Sequence, residues 1–267
     1  MSDVILNIRD LTRRFGALIA VDALSLMVKS GEIFGLIGAN GARKTTAIKM
    51  LTTLLRPTSG TAEVTGFSII DHPVGVRRVI GYVPQMVSVD GSLTGFDNLL
   101  LFAKLYDLSR AERQGRIEQA LGFMGLSADA DRLVSEYSGG MVRRLEIAQS
   151  TLHRPRVLFL DEPTVGFDPI ARDSVWKHLL DLRAHHGTTL FFTTHYLEEA
   201  QEHCDRIAIM RAGKLAALGT VKELEASPGG GCHTLNEVFM RYAGSSHEVG
   251  GSFRTIAAER ATAQQLG

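Results

Sequence analysis

Apolar and polar positions alternate at the start of the chain. Val4, Leu6 and Ile8 share one side of an extended segment, and Leu24, Leu26 and Val28 repeat the pattern before Gly31 marks a turn. A period of two predicts strands with one covered face. Residues 33–37 form a short continuous apolar run, the signature of a strand buried on both faces. A glycine-rich loop follows, and then helical spacing through Ile48, Leu51 and Leu55, closed by Pro57. Between Thr94 and Leu152 the pattern turns helical: Leu99, Phe102, Ala103 and Tyr106 share one face, and Ile117, Leu121 and Met124 another. After Pro155, strands at 157–160, 189–193 and 207–210 alternate with helices after Pro169 and over 197–203. This order predicts an α/β fold, a parallel-sheet core with a helical insertion.

Ser227-Pro228-Gly229-Gly230-Gly231 reads as a boundary. A short helix over 234–242 is expected beyond it. Past Gly244 large apolar residues are few, which predicts a disordered tail. The expected division is therefore a domain over 1–226, with a helical subdomain over about 90–152 inserted, and an extension over 227–267.

Composition narrows the class. The 267 residues are 45% hydrophobic, enough for the core of one large domain. Lys+Arg and Asp+Glu are balanced at 29 each, which argues against nucleic acid as a partner. The two cysteines, Cys204 and Cys232, lack metal-type spacing and are expected to be free thiols. No apolar run reaches the ~18–20 residues needed to cross a bilayer. Arg13-Arg14 precedes an apolar stretch in the manner of a twin-arginine leader, but Asp22 interrupts that stretch. A cytoplasmic location is expected, with contact to the membrane made through a partner.

Three motifs carry chemistry. Gly38-Ala39-Asn40-Gly41-Ala42-Arg43-Lys44-Thr45-Thr46 approaches the phosphate-binding loop pattern. Its backbone N–H groups and helix N-terminus suit phosphate, Lys44 suits the β- and γ-phosphates, and Thr45 suits Mg2+. The apolar run ending in Asp161-Glu162 delivers one carboxylate toward a metal and a second toward an attacking water. A buried strand ending in two solvated acids would read the same way. Ser138-Gly139-Gly140 opens a helical run, with Ser138 a good N-cap and two glycines that leave amides open to an anion.

The order of these motifs with Tyr82-Val83-Pro84-Gln85 and Thr193-Thr194-His195 resembles an ABC ATPase across roughly residues 4–225. That resemblance implies a P-loop, RecA-like parallel-sheet core with an antiparallel β subdomain and a helical signature subdomain. It implies that Phe15 stacks on adenine and that residues 38–46 bind ATP, with Thr45, Gln85 and Asp161 serving Mg2+. Glu162 and His195 become catalytic with Gln85. Ser138, Gly139, Gly140 and Asp168 become the surface that meets a second copy. Implied partners are that second copy, in a head-to-tail ATP sandwich, and an integral-membrane permease that would hold the chain on the inner face of the cell membrane. Tyr137-Ser138-Gly139-Gly140-Met141, Thr94-Gly95-Phe96-Asp97-Asn98-Leu99 and Tyr196-Leu197-Glu198-Glu199-Ala200 look like the drug-exporter branch, as does Thr234-Leu235-Asn236-Glu237-Val238-Phe239.

One residue departs from the pattern. Arg43 stands where the loop requires its second glycine. A left-handed conformation there costs an L-residue ~1–2 kcal/mol, and a long side chain crowds the phosphate site. Weakened ATP binding and hydrolysis in an intact fold is expected. The alternative is a non-hydrolytic binding or assembly module from which Arg43 excludes nucleotide.

Overall fold

The computed structural model describes residues 4–226 and 234–243. Two long strands, β1 (Val4–Phe15) and β2 (Leu18–Lys29), form a hairpin around Gly16. β3 (Ile33–Ile37), wholly buried, runs into the glycine loop and α1 (Lys44–Leu51). The helix stops short of Leu55, because Thr53 turns to a positive φ after Thr52 has closed the last turn. β4 (Ser59–Val64), β5 (Phe67–Ser68), α2 (Pro73–Val79) and β6 (Ile80–Val83) follow.

The helical part comprises α3 (Gly95–Leu105), α4 (Arg110–Phe123), two 3-10 turns and α5 (Gly139–Thr151). Thr94 caps α3 by accepting from the Asp97 amide, and Ser138 caps α5 by accepting from the Met141 amide. The chain then returns to the core through β7 (Val157–Asp161), α6 (Pro169–His186), β8 (Thr189–Thr194), α7 (Leu197–His203) and β9 (Arg206–Arg211). β10 (Lys214–Gly219), α8 (Val221–Glu225) and α9 (Leu235–Ala243) complete the described fold.

Two sheets result. The antiparallel one has the order β2-β1-β4-β5, and the larger one β10-β9-β3-β8-β7-β6, parallel except for its edge strand β10. Their facing apolar residues, including Leu6, Val21, Phe34, Phe159 and Phe191, enclose α1 and form one core. The opposite face of the large sheet packs Leu158, Leu160 and Phe192 against α3–α6 around Trp176. A third cluster seats Leu235 and Val238 of α9 on Ile207, Ile209 and Leu224. The Ser-Pro-Gly boundary and the tail beyond Gly244 lie outside the described residues. Among the described residues no helix is long and apolar enough to cross a membrane.

The strand order places the site. In a parallel sheet every strand ends on the same edge, and a crevice opens outside those ends. β3, β8, β7 and β6 are successive neighbours, with Ile37 beside Thr194, Asp161 beside Thr193 and Val83 beside Leu160. Four chain segments after these strands are thereby set in a row: the glycine loop, His195, Glu162 and Gln85.

Candidate functional site

The glycine loop is shaped by contacts that leave no choice of residue at its first position. A Cβ on Gly38 would lie 2.6 Å from the Met210 carbonyl oxygen and 2.7 Å from the Ala42 Cβ. Gly41 has φ 81°, and Arg43 has φ 75° and ψ 23°, the left-handed region. Arg43 is exposed, and among the described residues its guanidinium has no hydrogen-bond or ion-pair partner. Lys44 follows as the first helical residue of α1, which has no acidic residue in its first turn. The unpaired amides of that turn are thus left to an anion.

Asn40 to Thr46 line an open cleft of about 500 Å3 with Gln85, Glu162, Val165 and His195. Lys44 is buried, and its Nζ donates to the Gly38 carbonyl at 2.7 Å and lies 3.2 Å from Glu162 Oε1. Glu162 Oε2 accepts from Gln85 Nε2 at 3.4 Å and lies 3.4 Å from His195 Nδ1. Contact with the His195 ring, followed by Lys44, holds the Glu162 carboxyl below the usual glutamate range against the opposing effect of burial.

Asp161 is 1% exposed. Its Oδ1 accepts from Thr193 Oγ1 at 2.6 Å and from Thr45 Oγ1 at 3.2 Å, while its Oδ2 is buried without a partner among the described residues. Burial first, and Asp161 second, push the nearby Tyr82 hydroxyl up to about 12. Thr193 also accepts the Glu162 amide through both its carbonyl and its hydroxyl, at 3.1 and 3.0 Å. These bonds hold Glu162 at φ 50° and aim its side chain back over Lys44.

The other expected residues stand elsewhere. Ser138, Gly139, Gly140 and Asp168 line a separate surface cavity of about 550 Å3 with Arg144, Phe167 and Ile170. Asp168 caps α6, its Oδ1 accepting from the Ala171 amide at 2.9 Å. Phe15 is 46% exposed at the end of β1 with the Arg13 guanidinium 4.5 Å from its ring, so it is an available flat surface and not a core aromatic. It lines neither cavity.

Three contributors have roles that the sequence did not indicate: Thr193 as the partner of Asp161, Val165 in the cleft wall, and Glu199 as a buried acceptor. The buried Glu199 accepts from Thr194 Oγ1 at 3.0 Å and from Thr164 Oγ1, tying the chain before His195 to the chain after Glu162. The paired threonines before His195 were the available signal for the first of these.

A glycine loop at a strand–helix junction beside an Asp-Glu strand end defines a P-loop nucleotide-binding protein. The family model described as ABC transporter matches residues 21–165. The daunorubicin resistance ATP-binding protein DrrA3 of Streptomyces coeruleorubidus is 41% identical over 230 residues, 86% of this chain and 72% of that protein. The daunorubicin/doxorubicin resistance ATP-binding protein DrrA of Streptomyces peucetius is 46% identical over 213 residues, 79% of this chain and 63% of that one. A solved ATP-binding subunit of an ABC transporter superposes with a TM-score of 0.78 at 28% identity, covering 90% of this chain and 100% of the other. The chain belongs to the ABC transporter family and is an ATP-binding protein resembling its drug-exporter branch.

Proposed function

We propose that this chain binds and hydrolyses ATP as the motor subunit of an ABC exporter, working as a head-to-tail dimer beneath a separate membrane permease. The convergence of Lys44, Glu162, Gln85 and His195 on one cleft carries the reading, because four segments far apart in sequence meet there with complementary charge.

The residues take these parts. The amides of 38–46 and the Lys44 ammonium bind the β- and γ-phosphates, for which Lys44 exchanges its present partner Glu162. Once released, the Glu162 carboxylate accepts a proton from the attacking water. His195 and Gln85 orient that carboxylate and the terminal phosphate. Thr45 Oγ1 and Asp161 Oδ2, which has no partner among the described residues, form a hard oxygen set suited to Mg2+, and we assign Gln85 to the same ion. Bound there, Mg2+ would neutralise charge on the phosphate oxygens. Phe15 offers adenine the exposed part of its ring, over which the Arg13 guanidinium also lies.

The Ser138–Gly140 surface and Asp168 shape a cavity that shares no residue with the cleft, and we assign this surface to a second copy on the strength of the family resemblance. Met86 and Val87, 82% and 66% exposed just after Gln85, and Leu105 of α3, 66% exposed, offer apolar surface for the permease. We assign residues 1–226 to the ATP-binding domain, with 90–152 as its helical subdomain, and 227–267 to an extension. Cargo of drug-like or other hydrophobic chemistry is proposed by analogy with the resistance proteins DrrA3 and DrrA, and a place on the inner face of the membrane through the proposed permease.

Arg43 weakens this function in the chain as it stands. Titration with Mg-ATP, followed by steady-state hydrolysis, tests both statements against the Arg43→Gly form. Tighter binding by roughly a hundredfold in the glycine form, with turnover, is the expected result. Absence of binding in both forms would overturn the reading, and equal activity in both would remove Arg43 as its restraint.

A further inference from the structure

Arg143 and Glu146 form an ion pair on α5 that is 6% and 1% exposed and lies outside the cleft. Its contacts are aimed at one loop. Arg143 Nη1 donates to the Pro84 carbonyl at 2.6 Å and to Glu146 Oε2 at 2.9 Å, and Nη2 donates to the Gln85 carbonyl at 3.3 Å. Glu146 Oε1 accepts from the Ser88 amide at 2.6 Å and from its hydroxyl at 3.0 Å. One turn further along α5, Ser150 Oγ donates to the Tyr82 carbonyl at 2.9 Å. The loop is therefore gripped at Tyr82, Pro84, Gln85 and Ser88, while Met86 and Val87 between the grips stand exposed.

A buried ion pair is a poor source of stability, since desolvation of both charges offsets their attraction. Apolar residues of similar size would fill the same space. What they could not do is bind two loop carbonyls and one amide at fixed positions, as the planar Arg143 guanidinium does for the carbonyls and the Glu146 carboxylate for the amide. We propose that Arg143 and Glu146 are positioning residues, a clasp that fastens the Gln85 loop to the helix led by Ser138 so that the two move as one body. The proposal deepens the ATPase reading, on which the role of Gln85 rests. Any partner pressing on Met86–Val87 or on the Ser138 surface then displaces Gln85, whose Nε2 reaches Glu162.

The test uses the full chain carrying Arg43→Gly, with Arg143→Met/Glu146→Leu as a paired change that leaves no lone buried charge, and Arg143→Lys as the conservative form. Amide hydrogen exchange is followed in segments 84–90, 157–161 and 189–194, beside ATP turnover. In the paired variant, exchange in 84–90 should rise roughly tenfold while the two strand segments stay within about twofold of the parent. Turnover at saturating ATP should fall roughly ten- to a hundredfold with KM within about twofold, and Arg143→Lys should recover part of it. Unchanged exchange in 84–90, or loosening there with unchanged turnover, overturns the clasp. If the parent hydrolyses no ATP, the enzymatic reading falls alone, and exchange in 84–90 still decides whether the clasp exists.

Discussion

Arg43 holds φ 75°, where the Cβ of an L-residue crowds the following carbonyl at a cost of about 1–2 kcal/mol. Glycine has no such penalty but loses more chain entropy on folding, so a net gain of about 1 kcal/mol should raise the melting temperature of the nucleotide-free Arg43→Gly chain by roughly 2–4 °C, read by calorimetry. A lower melting temperature would mean that Arg43 has a stabilising contact which this structure lacks. Glu162 gives a second prediction at this scale. Its folded pKa is depressed, so the stability it contributes is present above the unfolded glutamate pKa and is lost as pH falls through the folded value. The melting-temperature gap between the parent and Glu162→Gln should therefore be wider at pH 7 than below about pH 4. The same substitution should cut turnover by about 10²–10⁴ while Mg-ATP binding persists. Glu162 was legible in the sequence because it stands just after the apolar run of β7 and so at a strand end, and Arg43 because it breaks the glycine-loop pattern at the N-cap of α1. Thr193, Glu199 and the Arg143–Glu146 pair were not, because their partners are fixed only when distant segments meet, as Thr193 meets Asp161 across 32 residues.

Among the elements, legibility followed regularity. Continuous apolar runs reproduced β3 and β7 closely, and the 197–203 helix appeared with the expected bounds. β1 extends to Phe15, beyond the alternation at Val4–Ile8, because its pairing with β2 shifts register repeatedly and breaks the period of two. β5, two residues long, carries too few residues to stand out, and β10 reads Lys214-Leu215-Ala216-Ala217-Leu218-Gly219, with no alternation of apolar and polar positions. The Arg143–Glu146 pair makes α5 the element with the sharpest stability prediction. Burial raises the Glu146 pKa and lowers that of Arg143, so each charge is disfavoured by its surroundings. Glu146→Leu alone should cost about 3–5 kcal/mol by leaving a buried arginine unpaired, whereas the paired Arg143→Met/Glu146→Leu change should be near neutral in urea unfolding. Equal losses in the two variants would show that the pair is needed to hold the fold, beyond positioning a loop.

At the scale of the molecule, the cleft and the Ser138–Asp168 surface are separate features of one chain. The first has amides and a lysine for phosphate; the second has an N-cap and two glycines whose added Cβ atoms would meet nothing closer than 3.7 Å. That openness means the surface is not packed for its own chain's stability. A large side chain there should leave the monomer intact and block only what docks on it. The chain carrying Arg43→Gly and Glu162→Gln should sediment as a dimer with Mg-ATP and as a monomer without it. Gly140→Arg added to that chain should keep its melting temperature and its single-site ATP binding, yet remain monomeric. Dimerisation that survives Gly140→Arg would place the interface elsewhere, and the Ser138 surface would then need another partner. A monomer at saturating ATP before that change would instead mean that nucleotide alone does not bring two copies together.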